Sequence, residues 1–149
     1  MKKILMVAVL AALVGCGRNE TTTSSSPTTE ADGVLKWESS YQAALVRAKA
    51  EKKLVMVDVY TDWCGWCKRL DRDVYANPAV AAKLASGFVV VKLNPEKTKE
   101  AAEVSRQFGT RGFPHIVFVN GDGKKVSEIS GYVPADEFGK RLDLLVAAK

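Results

Sequence analysis

Apolar positions change their spacing several times along the chain, and each change marks a candidate element. Ile4 to Val14 is an unbroken apolar run of eleven residues behind Lys2 and Lys3. Residues 17–33, GRNETTTSSSPTTEADG, hold eight Ser or Thr, one Pro and no aliphatic side chain larger than alanine. Such a stretch buries too little apolar surface to offset its ordering entropy. From residue 34 the pattern is that of a folded domain. Ser39 or Ser40 caps a predicted helix through YQAALVRAKAEKK, with Tyr41, Leu45 and Ala48 at helical spacing. Leu54–Tyr60 (LVMVDVY) is short and rich in β-branched residues, a predicted buried strand whose one charge, Asp58, is out of place.

A second predicted helix starts near Cys64 and runs through KRLDRDVY, and Asn77-Pro78 opens a third over AVAAKLAS. Phe88–Leu93 (FVVVKL) is another buried strand with one charge, Lys92, and Asn94-Pro95 repeats the cap signal before a helix ending about Phe108-Gly109. His115–Asn120, a Gly121-Asp122-Gly123 turn and Lys125–Ser130 read as a hairpin. Pro134 opens a last helix with Phe138, Leu142, Leu145 and Val146 as its apolar stripe. A βαβ crossover followed by a hairpin predicts an α/β domain, a mixed sheet with helices on both faces.

At 149 residues the chain has room for one ordinary domain, and 47% hydrophobic with 26% charged residues excludes wholesale disorder, collagen and coiled coil. The formal charge is +5, but the basic residues are scattered among acidic ones and leave no footprint for nucleic acid. Three cysteines are too few to staple a fold, so their meaning lies in their positions.

Residues 1–15 read as an export signal, because the apolar run is shorter than the about 20 residues a spanning helix needs. Leu13-Val14-Gly15-Cys16 resembles the bacterial lipobox. That resemblance implies a diacylglycerol on Cys16, an acylated (palmitate-bearing) mature N-terminus, and a lipoprotein held at the membrane. Residues 16–33 would then be its tether, with 17–33 reaching roughly 20–25 Å as a flexible coil, and residues 34–149 the domain. Gly17 is not the aspartate that resembles an inner-membrane retention signal, which favours the periplasmic face of the outer membrane in a cell that has one.

Trp63-Cys64-Gly65-Trp66-Cys67-Lys68 follows a predicted strand and opens a predicted helix, the context in which C-x-x-C reads as a redox dithiol. One helical turn sets the second thiol beside the first, so a disulfide forms and breaks without refolding. The first thiol sits where unpaired N–H groups and the helix dipole favour a thiolate. A structural zinc site wants four ligands, and c-type haem wants a histidine where Lys68 stands. No metal or organic cofactor is expected. A copper(I) metallochaperone using Cys64, Cys67 and His115 is the rival outside enzymology.

VDVYTDWCGWCK resembles the active-site strand and helix of the thioredoxin superfamily, and the likeness extends over Leu35 to Ala148. Lys92-Leu93-Asn94 is similar to the strand after that family's active-site helix, Thr110-Arg111-Gly112-Phe113-Pro114 to its cis-proline loop, and Gly131 to a glycine near its substrate groove. The WCGWCK form, followed by LDRDVY and NPAV, most resembles small exported thioredoxin-like proteins and the C-terminal domain of the membrane electron transporter DsbD.

The resemblance implies a thioredoxin fold and explains both stray charges. Asp58 matches the family's buried carboxylate, which would accept a proton as Cys67 attacks a mixed disulfide, and Lys92 matches the lysine that approaches it. The competing reading leaves Asp58 a partly solvated strand-end residue. Trp63 would cover one side of the site, and the Phe113 backbone beside Pro114 would pair with a substrate chain. Two positions depart from thioredoxin: Gly65-Trp66 replaces Gly-Pro, and His115 follows the proline where threonine is usual. A lone histidine there is more often structural than catalytic.

The implied chemistry is dithiol–disulfide exchange, acting as a protein-disulfide reductase: Cys64 attacks, Cys67 resolves. Substrates would be disulfide-bearing proteins. Electrons would come from a partner protein in the membrane, because no nucleotide-binding signature occurs. A monomer is expected. A dedicated cytochrome or copper-site maturation factor is a second enzymatic reading, for which the chain shows no extra insertion.

Overall fold

The computed structural model describes residues 35–148. The predicted export signal, Cys16 and the tether lie outside the described residues. Eleven elements follow one another: β1 (Trp37–Glu38), α1 (Tyr41–Glu51), β2 (Leu54–Val59), α2 (Gly65–Leu70), a π-helical turn (Asp71–Tyr75), α3 (Pro78–Gly87), β3 (Phe88–Leu93), α4 (Lys99–Gln107), β4 (His115–Val119), β5 (Lys125–Ser130) and α5 (Ala135–Ala147). The sheet order is β1-β3-β2-β4-β5. β3 runs parallel to both β1 and β2, whereas β4 runs antiparallel to β2 and β5. This is the expected mixed sheet.

β2 is the central strand and every residue in it is buried. Side chains alternate across a strand, so Leu54 and Met56 enter one core layer and Val55, Val57 and Val59 the other. The first layer is closed by α2, the π-turn, α3 and α5 through Leu70, Val74, Val80, Leu84, Phe138 and Leu142. The second is closed by α1 and α4 through Tyr41, Ala44, Ala48, Ala101 and Val104. Phe118, Phe138 and Met56 are fully buried, each stabilising the fold by roughly 1.5–3 kcal/mol relative to exposure.

Local signals account for most boundaries. The Ser40 hydroxyl accepts from Ala43 N, 3.1 Å, and Asn77 Oδ1 accepts from Ala79 N and Val80 N at 3.0 and 3.3 Å. Glu100 of α4 accepts from the first two N–H groups of α1, binding those helices together on the face away from α2. Two expectations need correction, and one element was missed. Asn94-Pro95 does not open α4: Asn94 Oδ1 instead accepts from Glu96 N to form a turn, and Thr98 caps the helix through Ala101 N. Strand β1 was not foreseen, since two residues give no periodicity. Val146 is half exposed rather than part of the apolar stripe, because α5 presents Phe138 and Leu142 to the core and its final turn overhangs the end of α3.

Candidate active site

Cys64 is the N-cap of α2 and Cys67 lies within its first turn. The two sulfurs are joined in a disulfide across a Cα–Cα separation of 5.3 Å. Cys64 Sγ accepts from Cys67 N at 3.1 Å, so the sulfur sits against the open N–H groups of the helix start. The loop before it is fixed by Cys64 N donating to Thr61 O, 3.2 Å, and by Lys97 pairing with Asp62, 2.8 Å. Both cysteines are buried in this disulfide state, at 5% and 2%.

Two exposed tryptophans flank the disulfide, Trp63 at 67% and Trp66 at 54%. Trp63 stands edge-on to Phe113 with ring centroids 5.8 Å apart, and its Nε1 donates to Glu96 Oε1 at 3.0 Å. Trp66 faces Tyr132 at 5.6 Å. Phe113-Pro114 is a cis peptide bond, and Pro114 O accepts from Gly131 N at 2.9 Å. Gly131 has φ +85°, a conformation that favours glycine there. Among the described residues, neither backbone group of Phe113 is taken up by a turn or cap hydrogen bond.

Asp58 points into the layer covered by α2 and is fully buried. It is no solvated strand-end residue. Burial pushes its carboxyl from 3.8 up to about 6, with Lys92 pulling it down and Asp71 pushing it further up. Lys92, across the β2–β3 ladder from Asp58, places Nζ 3.5 Å from Asp58 Oδ2 and pairs with Asp71 on the π-turn. The same ammonium lies 4.9, 5.3 and 5.5 Å from the rings of Tyr60, Trp37 and Tyr75, distances at which a cation is attracted to the ring face. Among the described residues, both Asp58 oxygens and the buried Tyr75 hydroxyl lack a well-formed hydrogen bond. Burial, then the Asp58 charge, holds the Tyr75 phenol well above its ordinary range.

Sequence reasoning therefore found Asp58 and Lys92 but missed Asp71, Tyr75, Trp37 and Tyr60 around them. Asp71 was findable, because it stands one helical turn beyond Cys67. The tyrosines and Trp37 were not, since the π-turn and β1 that aim them leave no periodic signal.

His115 is buried in its strand, with Nδ1 2.9 Å from Thr110 Oγ1 and Nε2 3.3 Å from Glu128 Oε2. Both ring nitrogens are thus occupied, as a structural histidine requires. Among the described residues no three His, Cys, Asp or Glu side chains assemble as metal ligands, Cys64, Cys67 and His115 of the rival copper reading included. None of the described helices is long and apolar enough to cross a membrane.

Comparison with known proteins matches residues 41–145 to a family described as a thioredoxin-like domain. The chain is 35% identical over 103 residues to the thiol:disulfide interchange protein DsbD of Vibrio cholerae, an alignment covering 67% of this chain and 17% of that protein. Among solved structures it superposes on a thioredoxin from Thermus thermophilus with TM-score 0.67 and 31% identity, covering 74% of this chain and 86% of that one. It also superposes on the oxidised C-terminal domain of Neisseria meningitidis DsbD with TM-score 0.58 and 26% identity, covering 68% and 89%.

Proposed function

Since the chain belongs to the thioredoxin-like family, we propose that it is an exported thiol–disulfide oxidoreductase that reduces disulfides in other proteins. The observation that carries this reading is the Cys64–Cys67 disulfide at a helix start, on the sheet face that also buries Asp58. In the reduced protein the Cys64 thiolate attacks one sulfur of a substrate disulfide and the other leaves as a thiolate. Cys67 gives its proton to Asp58 and attacks Cys64 Sγ. The second substrate sulfur departs, so two electrons pass to the substrate and the enzyme ends as the disulfide. A carboxyl titrating near 6 suits a proton acceptor at neutral pH.

Reduction is favoured over oxidation because Gly65-Trp66 offers no cation to stabilise the thiolate, while a nearby carboxylate opposes it. A reduction potential near about −120 mV, the range of strong oxidants, would refute that direction. The protein works as a monomer, without metal or organic cofactor, and is recharged by an electron-donating partner protein.

Replacing Cys67 with serine removes the resolving thiol. Cys67→Ser should accumulate mixed disulfides through Cys64, released by dithiothreitol and identifiable by mass; a variant that traps nothing would refute the reading. Residues 1–15 act as the export signal, and lipid on Cys16 holds the domain at the periplasmic face of the outer membrane through residues 16–33. Cys16→Ser should then move the protein from the membrane pellet to the soluble envelope fraction, and continued sedimentation would refute the anchor.

A further inference from the structure

The two rims of the dithiol differ in charge. On the Trp63 rim the neighbouring ionic group is Glu96, which is exposed and holds the indole N–H. On the Trp66 rim it is Arg69, whose Cζ lies 5.4 Å from the Trp66 ring centroid and 5.1 Å from that of Tyr132. Trp66 stands between the two cysteines. Tyr132 follows Gly131, whose N–H holds the Pro114 carbonyl. The guanidinium is therefore held over two rings, one from the residue before Cys67 and the other from the residue after Gly131.

Arg69 is only partly committed to its own chain. Nε donates to Asp73 Oδ2 at 3.2 Å, but Asp73 is held more closely by Arg72, at 2.6 and 3.0 Å. Among the described residues the two terminal nitrogens of Arg69 have no partner, and its side chain is half exposed. A guanidinium stacked on aromatic rings loses little freedom on binding and presents a planar fork that matches a carboxylate.

From this the geometry points to Arg69 as a specificity-determining residue: with Trp66 and Tyr132 it forms a subsite for an acidic side chain next to the cysteine under attack. The preferred substrates are disulfide-bearing proteins with Asp or Glu flanking that cysteine. The inference rests on the exchange activity proposed above and deepens it.

The test uses the reduced full-length protein and peptides containing one intramolecular disulfide, identical except for Glu, Gln or Lys beside a cysteine. The variable residue is placed before the cysteine in one series and after it in another. Each rate is divided by the rate of the same peptide with dithiothreitol, which removes the effect of the neighbour on intrinsic disulfide reactivity. At low salt the Glu peptide of one series should react roughly two- to fivefold faster than its Gln counterpart, the range of an exposed ion pair, and the Lys peptide slower than both. The preference should shrink in 1 M salt, roughly where the screening length falls to about 3 Å.

Arg69→Gln should erase the preference, Arg69→Lys weaken it, and Arg69→Glu invert it. Comparing peptides within each variant keeps the result independent of any change in overall activity. Equal normalised rates in both series, or a preference that survives Arg69→Gln, overturns the subsite alone. No exchange with any peptide overturns the oxidoreductase reading and the subsite with it.

Discussion

Replacing Asp58 with asparagine removes an ionisable group from a fully buried position at nearly constant volume, and the consequence can be worked from its titration. In the unfolded chain this carboxyl ionises near 3.8, whereas in the fold it ionises only at about 6. Between those values the folded protein holds a proton that the unfolded chain has lost, so raising the pH favours unfolding. The contribution is fully present below pH 3.8 and lost as pH rises through 6. At about 1.4 kcal/mol per pKa unit, the difference amounts to about 3 kcal/mol.

Asparagine resembles the protonated acid and cannot ionise. Asp58→Asn should match the parent near pH 4 and exceed it by up to about 3 kcal/mol at pH 8. Glu51, Asp62, Asp73 and Glu128, which cationic partners hold below their ordinary values, stabilise the fold above their unfolded pKa and lose that as pH falls. They do so in both proteins and cancel in the difference. The assay is denaturant unfolding of the oxidised proteins in steps from pH 4 to 8. A stability difference that does not vary with pH, or a variant less stable at pH 8, would refute the reasoning. In the reduced protein, resolution by Cys67 should slow more than attack by Cys64 in stopped-flow exchange.

Two further outcomes test neighbouring parts of the argument. Lys92→Met removes the cation that pulls Asp58 down, so the upper end of the pH range over which stability is lost should move above 6; an upper end that stays put would mean the pair is electrically idle. Asn77→Ala removes the acceptor for two N–H groups at the start of α3 and should cost about 1 kcal/mol in chemical unfolding.

Long strands and capped helices were legible in the sequence because burial on both faces writes continuous apolar runs such as LVMVDV and FVVVKL, and caps write short polar punctuation. Asn77-Pro78 behaved as such a cap, whereas Asn94-Pro95 formed a turn, because an asparagine side chain satisfies a turn N–H as readily as a helix start. The dithiol was legible from its C-x-x-C spacing between a predicted strand and helix, and Asp58 stood out as a charge inside an apolar strand, its role implied only by the resemblance to thioredoxins. What stayed hidden was the surroundings of Lys92. Its three rings come from β1, from the residue after β2 and from a π-turn, segments far apart in sequence and joined only by tertiary packing. The stacking of Arg69 on Trp66 and Tyr132 was hidden likewise, since Tyr132 arrives from beyond β5.

The alternation of β2 sets a rule for what this protein can tolerate. Asp58 and Val59 are adjacent in sequence yet serve opposite layers, the first the one closed by α2 and the second the one closed by α1 and α4. A strand has a phase, and deleting or inserting one residue within it inverts that phase. Here a deletion between Leu54 and Asp58 would turn the carboxylate into the dry valine layer and put a hydrocarbon beneath α2 in its place. With β3 and β4 clamping β2 on both edges in fixed register, the strand cannot slide to compensate. Length variation among descendants of this chain should therefore gather in the tips of the hairpin and the loops, while the count of residues from Leu54 to Cys64 stays constant even where their identities drift.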